Sequence, residues 1–417
     1  MKCLKNKKKG KNNNKMNSKK KLNLLTKIIL NSGKLVIITL LISCTTNNSK
    51  ITTEIQKNQI NNQIIVKYKS DPNFIVTQGN CATFNTHPNI DYCEPDYIVQ
   101  TTQNTNHKIT ELWNFESAKI RDLWNTLPNS KIIIAVIDEG VDISHPDLKN
   151  NIWINTDEIP DNGIDDDQNG YIDDIHGWNF INNSPIVFNT IDGDSHGTHV
   201  AGTIAGVIGV NPKAKIMALK FISPSGGRIS DATKAIQYAL DNGALLSNHS
   251  YGAYKDSQTL KNIIKNSQDY NHTFIAAAGN DNKKMSENPF YPASYEYDNI
   301  ISVAATTSSD SLSFFSNYGI PHIDVAAPGS QILSTLPNNQ YGKLSGTSMA
   351  TPLVTGIISI VKTKYPQITH KEIKERLIAS TTPNILLQDK INSGGIINAK
   401  AFLELNEQLS SQKEKID

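Results

Sequence analysis

The stretch Ile132-Ile-Ile-Ala-Val-Ile137-Asp138 decides how this chain folds. Six apolar residues without alternation leave no polar face, so a strand built from them is buried on both sides, as in a parallel sheet. Comparable runs follow at Ala214–Ile222, Ala244–Asn248, Thr273–Ala278, Ile300–Ala305 and Ile323–Ala327. Between them, Ser230–Leu240 and Leu260–Tyr270 carry helical patterning, the first opened by Ser230 and closed by Gly243. Strands alternating with helices predict an α/β fold: a mostly parallel sheet with helices on both faces, in three layers.

Folds of this kind place their chemistry at the carboxyl ends of the strands, where helix N-termini also open. The polar residues expected there are Asp138 after the first run, Asn248 to Ser250 after the third, and Asn280 after Ala276-Ala-Ala-Gly279. His196 opens the helical pattern HGTHVAGTIAG and Ser348 opens SMATPLVTGIISIV. An Asp, a His, a Ser and an Asn on one edge are the parts that acyl transfer needs. A serine hydroxyl is a weak nucleophile without an adjacent base. His196 titrates close to neutral pH, and a buried Asp138 would fix its tautomer and stabilise the imidazolium. The Ser348 backbone N–H and the Asn280 side-chain amide would face the oxyanion. Alone, Ser348 would read as a helix cap, one of four hydroxyls between Ser345 and Thr351. Pro352 is expected in the first helical turn, where a missing N–H costs little. The chain order Asp, His, Ser excludes the lipase and esterase arrangement, which runs Ser, acid, His.

Three blocks, Ile134-Ala-Val-Ile-Asp-Glu-Gly-Val-Asp-Ile-Ser-His-Pro-Asp-Leu148, His196-Gly-Thr-His-Val-Ala-Gly202 and Gly346-Thr-Ser-Met-Ala-Thr-Pro352, resemble the signatures of subtilisin-like serine proteases. The resemblance runs from Leu112 to Leu405, the expected peptidase domain 112–405, with a loose polar tail at 406–417. It implies a subtilisin-like fold, a triad of Asp138, His196 and Ser348, and Asn280 as oxyanion donor. Ser250, Tyr251 and Gly252 match the segment that binds peptide substrates in extended form. Glu139 departs from the pattern, since a small hydroxyl residue usually follows the triad Asp. The alternative is a non-catalytic, calcium-dependent binding lipoprotein of the cell envelope on the same fold.

Fifty-seven residues separate Asp138 from His196, and they include Asp161-Asn-Gly-Ile-Asp-Asp-Asp-Gln-Asn-Gly-Tyr-Ile-Asp-Asp174. Asp165, Asp167, Asn169, the Tyr171 carbonyl and Asp173 are spaced like the start of an EF-hand loop, which predicts Ca2+. His176 stands where the twelfth-position Glu belongs. A solvated acidic turn is the plainer alternative.

Charge divides the chain. Residues 1–43 hold twelve Lys and no acidic residue, leaving 29 basic against 39 acidic side chains, a net charge of −10, in the remainder. An acidic body excludes nucleic acid as the natural partner. The basic start, the apolar run Leu35–Ile42 and Leu41-Ile-Ser-Cys44 resemble a bacterial lipoprotein signal. That reading makes 1–43 a signal peptide and Cys44 the lipidated residue, with the protein anchored to a membrane of the bacterial cell envelope. A signal-anchored or secreted protein is the alternative. Residues 44–63 read as a polar tether. Residues 64–111, with strand-like runs Ile64–Tyr68 and Ile90–Val99, resemble the family's inhibitory propeptide, shortened to 21 residues between the two strands. Cys81 and Cys93 remain to form one disulfide.

Overall fold

A computed structural model describes residues 59–413, apart from 70, 72, 85–86, 102–111, 128–131 and 191–192. The signal segment, Cys44 and most of the tether lie outside the described residues. The N-terminal part contains β1 (Gln59–Tyr68), β2 (Phe74–Gln78), the short helix α1 (Cys81–Phe84) and β3 (Ile90–Thr101). Strand β1 begins inside the segment expected to be tether, because it pairs on both sides: antiparallel to β2 and to β3. Ile64, Val66 and Ile90 form a small core of their own, while Ile65, on the other side of β1, joins the main core. A disulfide between Cys81 and Cys93 ties α1 to β3.

The remainder runs α2 (Trp113–Ser117), β4 (Ile133–Asp138), β5 (Gly177–Asn179), α3 (Ser195–Ala205), β6 (Lys215–Lys220), β7 (Ile222–Ser223), β8 (Gly226–Arg228) and α4 (Ile229–Asp241). There follow β9 (Leu246–His249), β10 (Tyr251–Gly252), α5 (Gln258–Asn266), β11 (Thr273–Ala277), β12 (Ile300–Thr306) and β13 (Val325–Pro328). The hairpin β14 (Ile332–Leu336) and β15 (Gln340–Leu344) leads into α6 (Thr347–Lys364) and α7 (His370–Ala379). Last come β16 (Thr382–Pro383), β17 (Gly395–Ile396) and α8 (Ala399–Lys413).

The main sheet has the order β16-β17-β13-β12-β11-β9-β4-β6-β5 and is parallel except for the β16–β17 edge. Its central strands are buried throughout, as their unbroken apolar runs require. Helix α6 lies across β9, β11, β12 and β13 with α3 beside it, and α4 packs on β4 and β6 with α5 at its side. Nearly every residue of α6 is buried, and the hydroxyls of Thr351, Thr355 and Ser359 are satisfied by the helix's own carbonyls. Gly197 and Gly202 allow α3 to sit close: a Cβ on Gly197 would lie 2.2 Å from the Gly140 carbonyl oxygen, and one on Gly202 2.1 Å from Thr335 Oγ1. Among the described residues no helix is long and apolar enough to cross a membrane.

Two expectations are corrected. The segment from Asn406 is not a loose tail, because α8 continues to Lys413. Buried Asn406 accepts from Arg376, and Glu407 pairs with Lys364. Pro352 is the sixth residue of α6 rather than part of its first turn. Its missing N–H leaves the Ser348 carbonyl without its i+4 donor, and Ser250 Oγ donates to that carbonyl instead, at 3.0 Å.

Candidate active site

Asp138 ends β4, His196 stands in the first turn of α3, and Ser348 in the first turn of α6. All three are fully buried. Asp138 Oδ1 lies 2.7 Å from His196 Nδ1 and also accepts the Glu139 N–H at 2.7 Å. A carboxylate can only accept, so Nδ1 carries the proton and Nε2 presents its lone pair. Nε2 and Asp138 Oδ2 have no hydrogen-bond partner among the described residues. Ser348 Oγ donates to the Ser250 carbonyl at 3.0 Å. Burial pushes the His196 imidazole down, but the Asp138 charge and hydrogen bond, with help from Glu139, leave it above its ordinary value.

Asn280 follows β11 and faces the start of α6. Its Oδ1 accepts from both Thr347 N and Thr347 Oγ1 at 2.9 Å. The amide is thereby oriented with Nδ2 on the other side, buried and without a partner among the described residues. An orphaned buried donor costs free energy that a helix cap would not require. Thr347 lay within the hydroxyl cluster of the sequence, but its grip on Asn280 was not legible there.

Glu139, the departure from the family pattern, points back to α3: its carboxylate accepts the His196 backbone N–H at 3.3 Å. Burial pushes its carboxyl up, His196 opposes this, and Asp138 adds to it. Below it, buried Lys220 pairs with Asp194 at 2.5 Å and donates to the Glu139 carbonyl. His199 is no partner of His196: its Nε2 faces the Ile332 carbonyl at 2.8 Å, and burial lowers its pKa to about 3.

Along this site runs an extended strand, β3. Thr101 and Gln100 pair antiparallel with Tyr251 and Gly252, while Val99 and Ile98 pair with Gly227 and Arg228. The N-terminal segment therefore lies between β8 and β10, and Val99 is fully buried in the main core. Two carboxylates fasten it to helix N-termini. Glu94 accepts from Ser257 Oγ, Gln258 N and Thr259 N at the start of α5, at 2.6–2.9 Å. Asp96 accepts from Ser230 N at 2.9 Å and Ser230 Oγ at 2.5 Å, at the start of α4.

In the acidic insert, oxygens of Glu158, Asp165 and Asp167 all lie within 4.8 Å of one another. Glu158 was not singled out from the sequence, since it precedes the EF-hand-like spacing. Asn169 donates to Asp167 and to Asp174. Asp173 is not part of the group; its two oxygens accept the N–H groups of Asn162 and Gly163 at 3.0 Å. The Tyr171 ring packs against Trp178, Phe180 and Tyr238. Three clustered carboxylates offer the hard oxygen donors that suit Ca2+.

A parallel α/β sheet with Asp, His, Ser and a peptide-like strand on one edge defines a serine-hydrolase type of site. The Subtilase family model matches residues 129–399, and the chain belongs to that family. It is 33% identical over 323 residues to Subtilisin amylosacchariticus of Bacillus subtilis subsp. amylosacchariticus, covering 75% of each chain. It is 34% identical over 288 residues to the Thermophilic serine proteinase of Bacillus sp. (strain AK1), covering 66% of this chain and 64% of that one. Subtilisin-like protease 1 of Plasmodium vivax is 34% identical over 315 residues, 69% of this chain, and this chain spans only 50% of that protein's length. Among solved structures, fervidolysin from Fervidobacterium pennivorans shares the fold with a TM-score of 0.68 at 24% identity, over 83% of this chain and 61% of that one.

Proposed function

We propose that the chain is an exported serine endopeptidase that hydrolyses peptide bonds through an acyl-enzyme on Ser348. The observation that carries this reading is the Asp138–His196 contact at 2.7 Å, with Nε2 unpartnered among the described residues, beside an extended strand on Tyr251–Gly252. Rotation about Ser348 χ1 frees Oγ from the Ser250 carbonyl and brings it to His196 Nε2. Nε2 takes the hydroxyl proton as Oγ bonds to the substrate carbonyl carbon. The oxyanion receives Asn280 Nδ2 and the Ser348 N–H, and Asp138 stabilises the imidazolium. The C–N bond breaks as His196 returns the proton to the leaving amine. Water then repeats the sequence and frees the acid.

The segment through β3 acts as a shortened prosegment, held in the substrate position by Glu94 and Asp96 until it is displaced. Glu158, Asp165 and Asp167 would hold Ca2+, which would brace the acidic turn. Lipidation at Cys44 tethers the protein to a membrane of the cell envelope. The test is digestion of an unfolded protein with calcium present, with products mapped by mass spectrometry. Internal cleavages that vanish in Ser348→Ala support the reading. Cleavage that persists in that variant, or none by the folded chain, would overturn it.

A further inference from the structure

Beneath the edge that pairs with the peptide strand lies a line of buried polar side chains that the reaction does not use: Tyr251, His249, Ser247 and His272. Ser247, His249 and Tyr251 occupy alternate positions, so they share one side, while Asn248 and Ser250 bond to each other on the other. Four contacts of 2.7 Å join the line. Tyr251 Oη meets His249 Nδ1, His249 Nε2 meets Ser247 Oγ, Ser247 Oγ meets His272 Nε2, and His272 Nδ1 meets the Ala244 carbonyl.

The carbonyl at the end fixes the direction of every bond. A carbonyl only accepts, so His272 Nδ1 donates and its Nε2 must accept when the ring is neutral. Ser247 then donates to His272 and accepts from His249 Nε2, which leaves His249 Nδ1 to accept the Tyr251 hydroxyl proton. Burial keeps both rings neutral: His272 is lowered to about 4, and His249 lies well below its ordinary value. The far end of the line touches the site. The Tyr251 backbone pairs with Thr101, and its ring packs on Phe221 at 4.6 Å. The Phe221 N–H in turn donates to the Asp138 carbonyl at 3.0 Å.

We propose that Tyr251 is a positioning residue for extended peptide substrates, its ring locked by this one-way hydrogen-bond chain so that the Tyr251–Gly252 edge keeps its register beside Asp138. The proposal rests on the endopeptidase reading, and two measurements keep the two separable. Imidazole ¹⁵N shifts in the full chain carrying Ser348→Ala read the tautomers without turnover. The expected result is His272 protonated on Nδ1 and His249 on Nε2. A His249 protonated on Nδ1, or charged at neutral pH, overturns the chain. The second measurement uses the full chain incubated with calcium until turnover is constant. The ratio of kcat/KM on a peptide of about six residues to that on a minimal ester should fall about five- to tenfold in His249→Met and in Ser247→Ala, mostly through KM, as loss of one net hydrogen bond requires. An unchanged ratio overturns the positioning role, including when both substrates lose rate together. Absence of turnover in the unaltered chain refutes the endopeptidase reading and the positioning role with it, while the tautomers decide the hydrogen-bond chain independently of turnover.

Discussion

Replacing Asn280 with Ala removes one donor and leaves Asp138, His196 and Ser348 in place. Asn280 Oδ1 is held by Thr347 N and Oγ1, both at 2.9 Å, so Nδ2 has one orientation and no other partner among the described residues. Such a donor is idle in the resting site and engaged once charge develops on the substrate oxygen, so its loss should appear in kcat. Loss of one oxyanion donor lowers kcat by about 10²–10³, or about 2.7–4 kcal/mol, a range established on a subtilisin. Asn280→Asp keeps the Thr347 contacts but exchanges donor for acceptor, and should fall at least as far. Thr347→Val cuts one of the two anchors, near 1 kcal/mol, and should cost about fivefold. The assay is kcat and KM on a peptide substrate, with active sites titrated by a phosphonate. KM should stay within about threefold. A fall in kcat below about tenfold for Asn280→Ala, or a loss carried by KM, would refute the oxyanion assignment.

Glu139→Gln removes a charge that raises the His196 pKa, and His196 must be neutral to act as base. The acid limb of kcat/KM should therefore move to lower pH; a limb that stays or moves upward contradicts the coupling. The disulfide closes a short loop, with a sequence separation of 12, beside the small cluster of Ile64, Val66 and Ile90, and contributes about 2–4 kcal/mol. Cys81→Ser paired with Cys93→Ser should shorten the lag before turnover becomes constant, and an unchanged lag tells against a stapled inhibitor. Calcium at about 100 times its Kd should add about 2.7 kcal/mol, read as a raised Tm. Glu158→Gln with Asp167→Asn should abolish that rise, whereas a calcium-dependent Tm that survives both places the ion elsewhere.

The sheet was legible because burial on both faces writes itself as unbroken apolar runs. The run at Ile132–Ile137 became β4, and its closing carboxylate became the end of the strand. Residues that open helices or end strands could be placed on one edge by topology alone, which is why Asp138, His196, Asn280 and Ser348 could be named together. Partnerships set by the folded chain were not legible. Lys220–Asp194, Glu158 beside Asp165, and Ser250 Oγ on the carbonyl released by Pro352 join residues 7 to 98 positions apart. Helix α8 was missed from Asn406 onward because a polar stretch shows no stripe, while Asn406 itself is held by hydrogen bonds to Arg376 and Phe402. The alternation Ser247, His249, Tyr251 was in plain view, but its meaning depends on His272, the residue just before the neighbouring strand β11.

Covalent labelling reports on Ser348 as the proposed nucleophile without any need for turnover. Native protein treated with a serine-reactive phosphonate in calcium should gain one adduct, mapped by mass spectrometry to Ser348. The adduct should be absent in Ser348→Ala and sharply reduced in His196→Ala. Labelling that persists in Ser348→Ala, or an adduct mapped to Ser345, Thr347 or Thr351, would contradict the account.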